Sequence, residues 1–251
     1  MSSSGGKMAR KINIENERQF ENRKVLEGDV RAAQSKFYWA TMLKMNQFNS
    51  TVATLINGKQ VLEIGCSGGR TAQEYCKSCE HLTGVDVSDE GIKAAKALNI
   101  NNAIFQVCDA HHLPFEEGQY DVVVVSSLLH HLDLEVALNE IQRVLKVGGF
   151  LLAREPLGTN PVFNFYRLLT PEVRTEDERP FSFSDLKLMN EKFLPTTVVF
   201  FGLTSVLSAF IQSTRLRYLL TRFDELLAKT PIKYLCWQFW GVYKKKIADK
   251  V

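Results

Sequence analysis

The sequence predicts an α/β fold built on a doubly wound, mostly parallel sheet, and three observations carry that reading. Between Lys59 and Pro156, short apolar runs alternate with stretches of helical spacing. One of those runs, "YDVVVVSS", is apolar at consecutive positions, so both of its faces must be covered, as in a sheet flanked by helices. The glycine-rich turn "GCSGG" follows the first apolar run, where such sheets place a ligand-binding loop.

Each element follows from its own pattern. Residues 1–15 read as a disordered tail, since the first eleven are dominated by Ser, Gly, Lys and Arg. From about Asn16 to Phe48 the spacing is helical, with many charges and the aromatics Phe37, Tyr38 and Trp39. "KQVLEIGC" is a buried strand and "SGGRTAQEYCKSC" a helix; "HLTGVDVS" and "DEGIKAAKALNI" repeat that unit. "NAIFQVCDA" and "YDVVVVSS" are the third and fourth strands. "DLEVALNEIQRVLKVGG" places Val136/Ala137, Leu138, Ile141, Val144 and Leu145 at helical spacing, with Gly148 and Gly149 as the stop. "FLLAREP" is a fifth strand.

After Glu155 the rhythm breaks. The stretch 156–180 is too long for a simple connection, and long loops at a strand's carboxyl end usually serve function. "FSDLKLMNEKF" is a helix with Ser184 as N-cap. "TTVVFFGLT" is a strand, 203–229 is mostly helical, and "YLCWQFWGVYKKK" is a final strand with a basic tail. No internal repeat is visible. The chain therefore reads as a single domain over 16–251, with 16–50 a helical lid and with 156–192 and 203–230 as substrate-side insertions.

Composition narrows the function. Hydrophobic residues at 45% and charged residues at 24% are ordinary for a globular protein, and a net charge of +3 gives no footprint for nucleic acid. The start of the chain lacks the apolar core of a secretory signal, and five cysteines form no disulfide framework, so a reducing, cytoplasmic setting is expected. Cys76 and Cys79 make one C-x-x-C without the second pair that a zinc ribbon needs, and no metal is expected. The uncharged run 194–214 reaches the length of a membrane span. Pro195, Gly202 and its Ser and Thr residues make it a poor one, so peripheral contact with a membrane or hydrophobic acceptor, or packing in a homodimer, are the readings kept.

Ligands in doubly wound sheets bind at the carboxyl ends of the strands. Those ends are Gly65–Gly69, Asp86, Asp109, Ser126–His131 and Glu155. Glycine lets backbone approach a ligand closely, and a carboxylate at Asp86, 21 residues beyond Gly65, is placed for two ribose hydroxyls. That much fits any adenosine-bearing cofactor. The G-x-G-x-x-G spacing of a dinucleotide fold is absent, and so is a Tyr-x-x-x-Lys pair where a nicotinamide enzyme would need it.

Glu63-x-Gly65-x-x-x-Gly69, Asp86-Val87, Asp109-Ala110 before "LPF", "YDVV" before "HHL", and "RVLKVGG" resemble the class I S-adenosylmethionine-dependent methyltransferases, nearest the ubiquinone-biosynthesis and small-molecule branch. The resemblance covers about residues 60–155. It implies a Rossmann-like, seven-stranded sheet with an antiparallel last strand, and S-adenosyl-L-methionine as cofactor. Gly65, Cys66 and Gly69 would then wrap the methionine part, with Ser67 standing where the family usually has glycine. Glu63 would orient that loop, Asp86 would hold the ribose, and Val87 would lie against the adenine. Asp109 with Ala110 would meet the adenine amino group, and Ser126 would close the methionine side.

Methyl transfer to a hydroxyl or amine requires a proton to leave, and histidine suits that task near neutrality. His130 and His131 follow the fourth strand, and Glu155 ends the fifth; these three are the catalytic candidates, with packing at a helix start as the competing role for each histidine and loop anchoring for Glu155. Tyr38, Asn160, Tyr166, Arg167 and Arg174 are candidates for acceptor recognition, against packing for Tyr38 and a buried Arg–Glu lock for the arginines. The acceptor expected is a small organic molecule: a secondary metabolite, a quinone-like compound or a sugar, methylated on oxygen or nitrogen. A lipid-linked acceptor, or cofactor binding without catalysis, are the alternatives.

Overall fold

The structure, a computed structural model, describes residues 13–27, 35–170 and 179–246, apart from the side chains of Val162 and Tyr166. Arg174 and the first twelve residues of the expected tail lie outside them. Seven strands form one sheet: β1 (Gln60–Ile64), β2 (His81–Asp86), β3 (Ala103–Val107), β4 (Tyr120–Ser126), β5 (Leu145–Pro156), β6 (Phe193–Phe201) and β7 (Gln238–Lys245). Their order across the sheet is β3-β2-β1-β4-β5-β7-β6. β1 to β5 pair in parallel, and β7 runs antiparallel between β5 and β6. The order reverses between β1 and β4, which makes their carboxyl ends the topological switch point.

β4 shows why the sheet sits where it does. Val123 and Val125 enter the apolar cluster on one side, and Val122 and Val124 enter the cluster on the other. A period of two along a strand buried on both faces gives this division, and each valine contributes about 1.5–3 kcal/mol. The flanking helices are α1 (Ile14–Glu27), α2 (Ser35–Leu55), α3 (Ala72–Tyr75), α4 (Asp89–Ala97), α5 (Leu134–Val144), α6 (Pro161–Leu169), α7 (Phe183–Lys192) and α8 (Thr214–Leu227).

Several boundaries differ from the sequence reading, each for a local reason. Ile14 and Glu15, expected in the tail, open α1. α3 is a single turn, because Ser67 (φ 46°) and Gly69 (φ 75°) hold the preceding loop out of helical conformation. α5 ends at Val144 rather than at the glycine pair, and β5 starts at Leu145. Gly148 (φ 78°) bends that strand instead, and a Cβ on Gly149 would come 2.8 Å from the Asp121 carbonyl. The N-cap of α7 is Ser182, not Ser184: its hydroxyl accepts from Asp185 N while the Asp185 carboxylate accepts from Ser182 N, a full capping box. The uncharged run 194–214 is divided between β6 and a 3-10 turn, Ser205–Ala209. Among the described residues no helix is long and apolar enough to cross a membrane.

Asp224 fixes the last part of the chain. It is fully buried on α8 and accepts hydrogen bonds from the backbone N–H groups of Gly202, Leu203, Thr204 and Ser205 and from the hydroxyls of Thr204 and Ser205. One carboxylate thus serves the four orphan donors at the head of the 3-10 turn and clamps α8 against the end of β6. Asp224→Ala strands several buried N–H groups and is expected to lower unfolding free energy by on the order of 3 kcal/mol, read from urea midpoints. Asp224→Asn, which keeps one acceptor oxygen, should lose clearly less.

Candidate active site

At the switch point the loops after β1, β2, β3 and β4 surround one cleft of about 220 Å³. Gly65 and Ser67 line it from the first loop, Asp86 and Val87 from the second, Asp109 and Ala110 from the third, and Ser126 and His131 from the fourth. Eight of the residues singled out from the sequence therefore meet in one place.

The carboxylates organise the loops as well as face the cleft. Asp86 accepts from Ser67 N at 2.8 Å and from Ser88 N at 2.9 Å, joining the first loop to the second. This holds Ser67 at positive φ, where the resembled family has glycine. Burial pushes the Asp86 carboxyl up, against the pull of those two N–H groups and Lys24, while Glu21 adds to the rise. Asp109 accepts from His111 N at 2.9 Å and stands 2.6 Å from His111 Nδ1. His111 Nε2 in turn accepts from Asp133 N, the N-cap of α5, so the proton of this imidazole sits on Nδ1. His112, by contrast, is exposed.

Other sequence candidates lie elsewhere. Glu63 is buried beneath the first loop, where one oxygen accepts from the Thr71 hydroxyl and the other, Oε2, has no hydrogen-bond partner among the described residues. Burial raises its carboxyl to about 7, Thr71 opposing and Asp86 adding to the rise. Cys66 is buried in the core below, and burial pushes its thiol far up. Gly69 packs against α4, where a Cβ would come 3.0 Å from Ala95 Cβ.

The paired histidines separate. His130 turns inward, its Nδ1 2.7 Å from Glu155 Oε2, and both groups are buried away from the cleft. Glu155 was expected to face the crevice; instead its other oxygen accepts from Leu128 N and Leu129 N. The fully buried β5 end leaves no path to solvent, so Glu155 anchors the loop. Burial raises its carboxyl to about 7, with those backbone donors, His131 and Arg154 opposing. His131 is the histidine on the cleft wall.

The acceptor candidates do not converge there. Tyr38 packs on Trp237 at 5.6 Å between ring centroids. Asn160 is buried; its Nδ2 donates to Leu235 O and its Oδ1 accepts from Phe163 N within α6. Arg167 borders a separate shallow depression with Leu168, Pro180 and Phe183. Tyr166 lies on α6.

The roof of the cleft is α1, which contributes Ile14, Glu17, Glu21 and Lys24. Two residues latch it: Arg18 Nε donates to Val87 O, and Asn22 Oδ1 accepts from Ser88 Oγ and Glu90 N. Glu17 is buried with its Oε1 3.1 Å from His131 Nδ1. Within the lid expected over 16–50, it is α1 that reaches the cleft, while the aromatics Phe37, Tyr38 and Trp39 lie on α2. Glu17 went unnoticed because α1 is polar on nearly every face, and only a burial pattern would have marked it. Among the described residues no three His, Cys, Asp or Glu side chains are grouped to hold a metal ion.

Comparison with known proteins agrees with this geometry. The family described as "Methyltransferase domain" matches residues 62–153. The chain is 32% identical over 111 residues to the uncharacterized methyltransferase YcgJ of Bacillus subtilis, covering 42% of this chain and 44% of that one. It is 31% identical over 115 residues to a ubiquinone biosynthesis O-methyltransferase of Shewanella halifaxensis, covering 43% and 48%. The matched region thus spans less than half the length of these relatives. Among solved structures, the N-methyltransferase NodS of Bradyrhizobium japonicum, in complex with S-adenosyl-L-homocysteine, superposes over 92% of this chain and 100% of its own, with a TM-score of 0.62 at 15% identity. Residues 62–153 thus match the methyltransferase-domain family, and the strand order is that of a fold shared with solved methyltransferases.

Proposed function

We propose that the protein is an S-adenosylmethionine-dependent methyltransferase acting on a hydroxyl or amine of a small organic molecule, with His131 as the base. The observation that carries this is the single cleft in which Gly65, Asp86, Asp109 and Ser126 meet, with His131 on the same wall.

The residues present fit the cofactor. Gly65 lines the cleft at φ 81°, and a Cβ there would press on Leu128 at 3.1 Å, so the backbone is bare where a ligand must approach closely. Asp86 binds the ribose hydroxyls, its two backbone bonds leaving acceptor capacity on each oxygen. Asp109, held by His111, would accept from the adenine amino group, with Ala110 and Val87 on the same wall of the cleft. S-adenosylmethionine supplies a methyl group on a positively charged sulfur, open to in-line displacement.

The chain then has to position the acceptor, keep water out and remove one proton. Ile14, Leu128 and Leu132 give the cleft apolar walls, and α1 covers it. His131 accepts the proton of the acceptor's hydroxyl or ammonium. Glu17, 3.1 Å from Nδ1, stabilises the imidazolium that forms, so it is a positioning residue supplied by the roof. Proximity and alignment supply most of the rate, about 7–11 kcal/mol at best, with the base adding a factor of about 10²–10⁴.

Two experiments test this reading. Calorimetric titration with S-adenosyl-L-homocysteine should show one site, with affinity falling at least ~10-fold in Asp86→Ala as charge-assisted hydrogen bonds are lost; no binding by the wild type refutes the reading. In a screen of phenolic and amine acceptors with methyl-labelled cofactor, His131→Ala should lower kcat by about 10²-fold or more and Glu17→Gln by about 10-fold. Both should leave product affinity nearly unchanged, and His131→Ala should lose the acid limb of the pH–rate profile. Near wild-type rates in both variants rule out the base.

The buried carboxyl at Glu63 also predicts a pH dependence of stability. Its folded value of about 7 lies above the ordinary 4.5, so the folded state holds a proton that the unfolded chain has released between those limits. Its stabilising contribution is present below about pH 4.5 and is lost as pH rises through 7, by on the order of 3 kcal/mol. Urea midpoints of the unliganded protein measured between pH 5 and 8 should fall less steeply in Glu63→Gln; identical slopes in the two proteins show that Glu63 does not ionise over this range.

A further inference from the structure

A helix on the surface of a globular protein ordinarily turns its apolar side inward. α8 does so only in part: Leu216, Leu220 and Leu227 are half-buried, but much of its apolar surface faces outward. It buries Thr221 and Asp224 and presents Tyr218, Leu219, Phe223 and Leu226 to solvent, with Leu219 63% exposed and Leu226 60% exposed. The Asp224 clamp fixes this rotation, since the carboxylate cannot leave the backbone donors of 202–205 without stranding them. The apolar face continues onto the neighbouring 3-10 turn through Leu207 and Phe210. Phe37 contacts both Phe210 and Phe163 at ring-centroid distances of 5.8 and 5.6 Å, which brings in α6 with its exposed Phe165 and Leu168. A continuous apolar face of this kind marks an interaction surface rather than scattered exposure.

Charge indicates what the face meets. α8 and its flanks, residues 203–233, carry five Lys and Arg against two acids, and one of the two, Asp224, is buried. The basic groups border the apolar side chains. Arg215 and Lys229 stand exposed at the two ends of α8, and the Lys36 ammonium lies 5.0 Å from the Phe210 ring centre. Apolar side chains ringed by cations match an anionic lipid surface, where hydrocarbon enters the headgroup boundary and ammonium and guanidinium groups meet phosphates. A second copy of the chain fits poorly, because a two-fold pairing of this face would set Arg215 and Lys229 near their own counterparts.

We propose that the outward face of α8, with the Ser205–Ala209 turn and α6, docks the protein peripherally on anionic membranes. Sedimentation of the full chain with phosphatidylcholine vesicles, with and without about 30% phosphatidylglycerol, tests this without cofactor or acceptor, so it stands apart from the catalytic reading. Binding at least ~10-fold stronger to the anionic vesicles, and weakened by salt, is expected. Leu219→Gln/Phe223→Gln and Arg215→Glu/Lys229→Glu should each reduce binding at least ~10-fold while leaving the thermal melt unchanged, since all four side chains are exposed. Absence of binding to anionic vesicles overturns the proposal, as does binding that neither variant weakens. Light scattering that shows a dimer disrupted by Leu219→Gln/Phe223→Gln, with no vesicle binding by the wild type, assigns the face to a second copy instead. Should a variant fail to fold, the lipid-charge and salt dependence of the wild type decides alone.

Discussion

The cleft depends on a carboxylate that never touches it. Glu155, fully buried at the end of β5, accepts from Leu128 N and Leu129 N and pairs with His130 Nδ1. It ties the exit of β4 to the neighbouring strand, and Ser127 N → Arg154 O at 2.7 Å adds a backbone bond beside it. The loop can then turn through Ser127 at φ 55°, a conformation that serine rarely adopts unaided. The result is that Ser126, Leu128 and His131 all reach one wall of the cleft while His130 is withdrawn. Two adjacent histidines thus have opposite fates because one is needed inside to satisfy a buried acid.

The same logic recurs around the site. Asp86 couples the first and second loops through Ser67 N and Ser88 N, and His111 couples Asp109 to the N-cap of α5. Buried acids with backbone donors are costly to leave half-satisfied, so each arrangement has one low-energy geometry. The loops at the switch point are therefore set before any ligand arrives. α1 is the exception. Besides the Glu17–His131 pair, it is attached by Arg18 and Asn22 to the loop after β2 and the start of α4, and its packing against the rest of the chain is mainly with α4.

What the sequence revealed follows from where information is local. Parallel strands buried on both faces announce themselves in runs such as "VVVV", and the glycine turn with Asp86 and Asp109 at strand ends is a matter of spacing alone. The parallel pairing of β1 to β5 agrees with that reading, and the antiparallel β7 agrees with what the family resemblance implies. Rotation about a loop is not local. Whether His130 or His131 faces the cleft depends on Glu155, 24 residues beyond His131, and on Glu17, 114 residues before it. Asn160 shows the same limit from the other side: a polar residue in a long loop invited a substrate role, yet it caps α6 and ties it to Leu235.

The uncharged stretch 194–214 joins these two kinds of information. Its composition resembled a membrane segment, but an edge strand and a 3-10 turn divide it, with Pro195 tolerated at a register shift on the outer strand. The apolar surface that remains is instead formed by α8, a helix with two Arg in its first four residues and Asp-Glu near its end, which no hydropathy profile would select. It arises because one acid, Asp224, is drawn inward by four backbone N–H groups that follow β6. Satisfying those donors turns the helix, and turning the helix puts Leu219, Phe223 and Leu226 into solvent. The interior's hydrogen-bonding demand thus determines the chemistry of the exterior.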